Sequence, residues 1–158
     1  MLKNILIAAD GSETSMCAAE MAVGIGKRSG AKVTAVYVVD VQRLAQLPGY
    51  ASMPGLKDNL MELMFKEGSE ALEEIEDMAR DAGVAYNRVI AEGDPGEELL
   101  NLCRDPGFDL IVLGTIGKSG LARFLLGSVA ERVVRHSHVP VLVVPAKDQK
   151  NSCDSIKH

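Results

Sequence analysis

The sequence predicts an α/β fold, an open five-stranded parallel sheet with helices on both faces. The first observation is that continuous apolar runs alternate with helix-patterned segments, because strands buried on both faces read as unbroken apolar runs. The second is that 158 residues, 47% of them hydrophobic, suit one domain with a substantial core. The predicted strands cover about residues 3–9, 32–39, 84–91, 110–113 and 140–144, and the predicted helices about residues 15–29, 58–82, 94–104 and 122–136.

Local signals support the boundaries of these elements. Gly30 and Gly83 follow the last helically spaced residues of their segments and predict left-handed helix ends. Asp94 followed by Pro95 predicts a capped helix start. Residues 40–57 contain two Pro-Gly steps and predict a loop or lid. The domain is expected to span residues 1–145, followed by a polar, disordered tail over residues 146–158.

Composition argues against several classes of function. The net charge of −5 and the absence of Trp weigh against a nucleic-acid-binding surface. Cys17, Cys103 and Cys153 form no CxxC pair and are expected to be reduced thiols. No apolar stretch approaches membrane-spanning length, and the first apolar run stops at Asp10, too early for a signal peptide. We therefore expect a cytoplasmic protein that binds neither nucleic acid nor membrane.

The most informative stretch runs from Gly114 to Ser128. It follows a buried strand and contains two glycine turns, the second of which, Gly127-Ser128, opens a helix. Backbone N–H groups at such a helix start bind anions, and ligands of parallel sheets bind beyond the carboxyl ends of the strands. Each glycine alone has a local explanation, such as a turn or a kink, but together they predict a nucleotide site.

The spacing Gly114-x2-Gly117-x9-Gly127-Ser128 resembles the ATP-binding motif of the universal stress protein family. The resemblance extends over residues 1 to about 145 and includes the segments 4–12, 36–40, 93–95 and 139–144. It implies a Rossmann-like fold of the adenine-nucleotide alpha-hydrolase type. One departure is Ile116, where family members often carry His or Arg.

The resemblance also implies roles for individual residues. Asp10 would lie beside the ribose and phosphates, and Val38 would meet adenine through its backbone. The loop containing Gly117 would lie against the ribose and phosphates, and the Gly127-Ser128 step would bind the outer phosphates. Lys118 and Arg123 could offset phosphate charge or be solvated surface cations. The predicted nucleotide-binding residues are Ala8, Asp10, Val38, Leu113, Gly114, Gly117, Gly127, Ser128 and Val129.

The expected function is a stress-response switch that binds ATP, with Mg²⁺ or Mn²⁺ on the phosphates, and signals to an unidentified partner. The resemblance further implies a homodimer paired through the last strand. Two alternatives stay open: a slow ATPase or nucleotidyl or phosphoryl transferase, and an interaction module with an empty crevice. Asp10 is the one acid–base candidate for the first alternative, and we assign no catalytic or metal-ligating residue.

Overall fold

The computed structural model describes residues 1–104, 107–115 and 126–147. Predictions made for Gly117, Ile116, Lys118, Arg123 and Cys153, and for the tail from residue 148 onward, lie outside these described residues. Within them, no helix is long and apolar enough to cross a membrane.

Five strands form one sheet, and every neighbouring pair is parallel, as the sequence predicted. The spatial order is β3-β2-β1-β4-β5. The chain therefore moves outward from β1 to β3, returns to the other side of β1, and moves outward again through β4 and β5. The order reverses between β1 and β4, which is where open α/β sheets bind ligands. The strands are β1 Asn4–Ala9, β2 Lys32–Asp40, β3 Tyr86–Gly93, β4 Leu110–Gly114 and β5 Val141–Val144.

Helices cover both faces of the sheet, because side chains of successive strand residues point to opposite faces. Ile5 and Ile7 pack in one apolar cluster with α1 and α3, whereas Leu6 packs in a second cluster with α4 and α5. The face of α1 that packs on the sheet consists of small residues, which are buried: Ala18, Ala19, Ala22, Val23 and Gly26. The helices are α1 Glu13–Ser29, α2 Val41–Ala45, α3 Leu56–Ala82, α4 Pro95–Leu102 and α5 Ser128–His136.

Some elements differ from the predictions for reasons that the structure shows. The segment predicted as a loop contains the short helix α2, because the Asp40 carboxylate accepts a hydrogen bond from the Arg43 amide at 2.9 Å and caps it. The third strand begins at Tyr86, since the Val84 amide still donates to the Ala79 carbonyl at the end of α3. Among the described residues, the last helix begins only at Ser128, because Gly127 is extended with φ −62° and ψ 160°.

Candidate functional site

The strand order brings the carboxyl ends of β1 and β4 together. Ile7 of β1 pairs with Val112 of β4, so Asp10 and Gly114 lie at the same edge of the sheet. A cleft of about 660 Å³ opens there. It is lined by all eight predicted site residues that the structure describes: Ala8, Asp10, Val38, Leu113, Gly114, Gly127, Ser128 and Val129. The ninth, Gly117, lies outside the described residues.

The start of α5 presents free backbone amides to this cleft. Gly127 occupies the cap position and has no side chain to accept a hydrogen bond. Its own amide donates to the Thr115 carbonyl at 2.7 Å, and the first intrahelical bond runs from the Glu131 amide to the Gly127 carbonyl at 2.9 Å. The amides of residues 128–130 have no acceptor among the described residues. These amides and the positive end of the helix dipole suit an anion.

The other helices that begin at this edge close their own first turns. Ser12 accepts from the Ser15 amide at 3.2 Å at the start of α1, and Asp94 accepts from the Glu97 amide at 2.9 Å at the start of α4. Asp40 does the same for α2. Helix α3 follows Gly55 and also lacks a side-chain cap, but it contributes Met64 and Glu67, not its first turn, to the cleft. An uncapped first turn on the cleft wall therefore distinguishes α5.

Asp10 has a structural role in the turn after β1 and also lines the cleft. Its Oδ1 accepts a hydrogen bond from the Ser12 amide at 2.8 Å, which fixes the carboxylate in the turn after β1. Its Oδ2 receives no hydrogen bond from the part of the chain that the structure describes. The oriented carboxylate can therefore accept a hydrogen bond from a ligand hydroxyl in the cleft.

Val38 offers a backbone acceptor at the opposite end of the cleft. The Lys32 amide donates to Lys3, towards β1, and the Val33 amide donates to Ala85, towards β3. The backbone groups of successive β2 residues therefore point alternately towards β1 and towards β3, and those of Val38 point towards β1. Since β1 ends at Ala9, which pairs with Tyr37, the Val38 carbonyl extends past the last paired residue of β1.

Gly114 has a packing role that is independent of any ligand. A Cβ atom at this position would lie 2.7 Å from Thr14 Oγ1 and 2.8 Å from the Thr14 backbone carbon. The glycine therefore lets the end of β4 approach the first turn of α1. In contrast, the backbone of Gly127 lies in a region open to any residue.

The sequence analysis did not predict one wall of the cleft, which is formed by α2, α3 and Tyr37 of β2. Tyr37 donates a hydrogen bond from its hydroxyl to Glu67 Oε2 at 3.2 Å. Burial, and secondarily the charge of Asp10, raise the pKa of Tyr37, so the phenol stays protonated at neutral pH. Leu44, Leu47 and Met64 add apolar surface. The Pro-Gly steps pointed to a lid, but not to which side chains face the cleft.

A smaller cleft of about 200 Å³ lies between α4 and α5 and contains none of the predicted site residues. His136 and His138 line it, and His136 Nδ1 lies 2.9 Å from the Arg132 carbonyl near the end of α5. His136 lies in the last turn of α5, where a cationic side chain complements the helix dipole. Burial raises the pKa of Cys103, also in this lining, to about 11, so its thiol is a poor nucleophile at neutral pH.

Comparison with known proteins agrees with the fold and the motif. The universal stress protein family model matches residues 1–145. Universal stress protein MJ0531 of Methanocaldococcus jannaschii is 44% identical over 144 residues, covering 91% of this chain and 82% of that protein. The solved structure of MJ0577, from the same organism, has a TM-score of 0.82 at 30% identity and covers 94% of this chain and 99% of that chain.

A crystal structure of a universal stress protein in complex with cAMP has a TM-score of 0.65 at 28% identity, covering 92% of this chain and 98% of that chain. The match of the family model to nearly all of the domain, together with the 44% identity to MJ0531, confirms the resemblance inferred from the glycine spacing. The chain belongs to the universal stress protein family.

Proposed function

We propose that this protein binds an adenine nucleotide, with ATP as the expected ligand, in the cleft at the carboxyl edge of the sheet. The observation that carries the proposal is the uncapped start of α5 on the wall of that cleft. The volume of about 660 Å³ lies within the range typical of small-molecule sites. The related protein in complex with cAMP supports an adenine nucleotide as the ligand class.

The phosphates would lie at the start of α5. The amides of residues 128–130 and the Ser128 hydroxyl are donors there, and the helix dipole adds favourable potential. The ribose would lie at Asp10, whose Oδ2 can accept from a ribose hydroxyl. Because the carboxylate is already held by the Ser12 amide, little further ordering is needed on binding.

The base would lie between the apolar walls, with its edge against the Val38 carbonyl. The exocyclic amine of adenine can donate to this carbonyl. Guanine carries a carbonyl oxygen at the same ring position, and it would place one acceptor against another. An acceptor left unpaired on burial costs about 1–3 kcal/mol, so the site should favour adenine over guanine.

A divalent cation would bind through the phosphates. The described residues contain no group of three or more His, Cys, Asp and Glu side chains that could hold a metal ion by themselves. The chemistry of Mg²⁺, which keeps several waters and binds to substrate phosphates, suits this arrangement, and Mn²⁺ accepts the same oxygen ligands. Among the described residues, the carboxylates that line the cleft are those of Asp10, Asp40 and Glu67.

Nucleotide binding would act as a cytoplasmic stress-response switch. A bound nucleotide would contact the start of α5 on one side and Leu44 and Leu47, in and after α2, on the other. It would therefore connect α5 with the segment around α2, and a partner protein would recognise the resulting surface. Such a shift requires that the ligand bind the two states with different affinity.

The protein would form a homodimer through β5. This strand lies at one edge of the sheet and pairs only with β4 among the described strands. Its sequence is entirely apolar, Val141 to Val144, and such an edge favours pairing with a second copy. Sedimentation velocity would show a dimer for the wild type, and a Val143→Pro variant that remained fully dimeric would contradict this interface.

Isothermal titration calorimetry with ATP and with GTP tests the nucleotide site. We expect ATP to bind the wild type more tightly than GTP, and the Gly127→Val variant to lose most of its ATP affinity, because the added side chain crowds the phosphate position. Gly24→Val is the matched control, since a Cβ at Gly24 meets nothing within 4 Å. Absence of ATP binding by the wild type, or equal affinity of the two variants, would contradict the proposal.

Turnover is measured separately. Steady-state phosphate release should be slow and should change little in Asp10→Ala, because the cleft binds phosphates without a dedicated catalytic base. Fast phosphate release that depends on Asp10 would show that the protein is an ATPase and would contradict the switch.

A further inference from the structure

One carboxylate connects the starts of α4 and α5. Asp94 Oδ1 accepts hydrogen bonds from the Glu97 amide at 2.9 Å and from Arg132 Nη1 at 2.7 Å. Asp94 caps α4, and Arg132 lies one turn beyond Ser128 in α5. The same oxygen atom therefore caps one helix and holds the next.

Within the part of the chain that the structure describes, α5 is also attached by the hydrogen bond from the Gly127 amide at its start to the Thr115 carbonyl and by apolar packing. It has nine residues, of which Ala130 and Val133 are buried. These two side chains fix its distance from the sheet, but apolar contacts are non-directional and resist sliding or rotation weakly. Of the ion pairs among the described residues, Arg132–Asp94 is the one that joins α5 to another element.

The Arg132 side chain crosses α4 in close contact. A Cβ at Gly96, in the first turn of α4, would lie 2.9 Å from Arg132 Cδ. The aliphatic part of Arg132 therefore lies over Gly96 while its guanidinium bonds to Asp94. The two side chains are 45% and 27% exposed, so the pair is less solvated than Arg135–Glu131 on the same helix, at 70% and 50%.

On the basis of the proposed nucleotide site, we propose that Asp94 and Arg132 are positioning residues for phosphate binding. Their ion pair sets the place of the α5 amides relative to Pro95 and Leu99, which line the same cleft from α4. Hydrogen bonds weaken steeply with misalignment, so a small displacement of α5 reduces phosphate contacts. Contacts to the nucleoside come from β1, β2 and β4 and do not depend on this pair.

The test compares the affinity for ATP with that for adenosine by calorimetry. The variants are Asp94→Asn, Arg132→Gln and the double variant, whose net charge equals that of the wild type. Asn is as good a helix cap as Asp, so α4 keeps its start. We expect the double variant to bind ATP about three- to tenfold more weakly, with unchanged affinity for adenosine.

A second double variant is the matched control. Glu131→Gln with Arg135→Gln removes the pair that joins two residues of α5 at 2.9 Å, again without a change in net charge. We expect its affinity for ATP to stay within about twofold of the wild type, since both residues of the pair belong to α5 and are largely exposed.

Each remaining outcome has a definite meaning. No ATP binding by the wild type would remove the proposed function and this inference together. If the wild type binds ATP and the two double variants bind it equally, the positioning role alone is overturned. Parallel losses for ATP and adenosine would show a general structural role instead. Tighter ATP binding by Asp94→Asn, weaker binding by Arg132→Gln and no change in the double variant would show a charge effect without positioning.

Discussion

Helices α4 and α5 both begin at the same cleft, but a side chain caps the first turn of α4 and none caps that of α5. Helix α4 begins with Asp94, whose carboxylate binds the Glu97 amide, and with Pro95, which has no amide to satisfy. Helix α5 begins with Gly127, which leaves the next three amides without an acceptor among the described residues. At α4 the Asp94 carboxylate caps the first turn, and at α5 no described side chain does so.

The amino edge of the sheet supports this interpretation. There the Asp109 carboxylate accepts hydrogen bonds from the amides of Lys3 at 2.7 Å and Asn4 at 2.9 Å. At this edge the chain itself supplies a carboxylate as the acceptor for two backbone amides. The open start of α5 differs because it lies in a cleft, and the following predictions test that difference.

The largest expected effect comes from giving α5 a cap of its own. Gly127→Asp should weaken ATP binding by about 100-fold, because the new carboxylate occupies the amides and repels the phosphates. It should also raise the stability of the nucleotide-free protein by about 0.5 kcal/mol, since Asp caps helices better than Gly and complements the dipole. Calorimetry and urea unfolding measure the two effects.

Gly127→Ser separates the two causes of the loss, because it supplies a cap without charge. We expect an intermediate affinity for ATP. An aspartate variant that bound ATP as tightly as the wild type would show that the α5 amides are not the phosphate site.

A smaller effect is expected from removing the cap of α4. Asp94→Ala should lower the free energy of unfolding by about 1 kcal/mol, because the Glu97 amide loses its acceptor. Asp94→Asn should stay within a few tenths of a kcal/mol of the wild type, since its side chain still caps. Urea unfolding of both variants measures this, and equal losses would mean that the charge, not the cap, stabilises α4.

The smallest effect concerns Asp109. Hydrogen bonds from the Asn4 and Lys3 amides hold its pKa below the usual 3.8. Because the pKa is lower in the folded state, the ionised carboxylate stabilises the fold above about pH 4, and this stabilisation is lost as the pH falls through the folded pKa. Asp109→Asn should therefore melt slightly below the wild type at neutral pH.

The difference between the two proteins should shrink as the pH falls through the lowered pKa of Asp109, because the carboxyl group then becomes protonated in the wild type. Thermal melts followed by circular dichroism at neutral and acidic pH measure it. A constant difference across the pH range would show that these hydrogen bonds do not depend on ionisation.

The sequence predicted the parts of the cleft that follow directly from strand order. Asp10 and Gly114 come immediately after apolar runs, and parallel strands end at one edge, so their proximity needed only the pairing of β1 with β4. The cap at Asp94 was equally predictable, because a helix start is a local signal. Gly114 lies at the end of β4, but the sequence did not predict its close contact with Thr14.

The wall formed by Leu44, Met64 and Glu67 could not be predicted in the same way. It depends on how far α3 extends past the sheet and on the short helix α2, which Asp40 caps inside a segment that resembled a loop. The approach of α3 to β2 also depends on Gly68, where a Cβ would lie 2.5 Å from the Tyr37 ring. No local pattern pairs these two positions.

The sequence by itself determined the alternation of strands and helices, the capped start of α4, the glycine ends of α1 and α3, and the family, because periodicity, caps and glycine spacing are properties of neighbouring residues. Only the tertiary structure decided which amides keep no acceptor, which glycines serve packing, and that Asp94 reaches Arg132, 38 residues away. These are distances between elements. They follow from the packing of whole helices on the sheet, which short-range patterns do not encode.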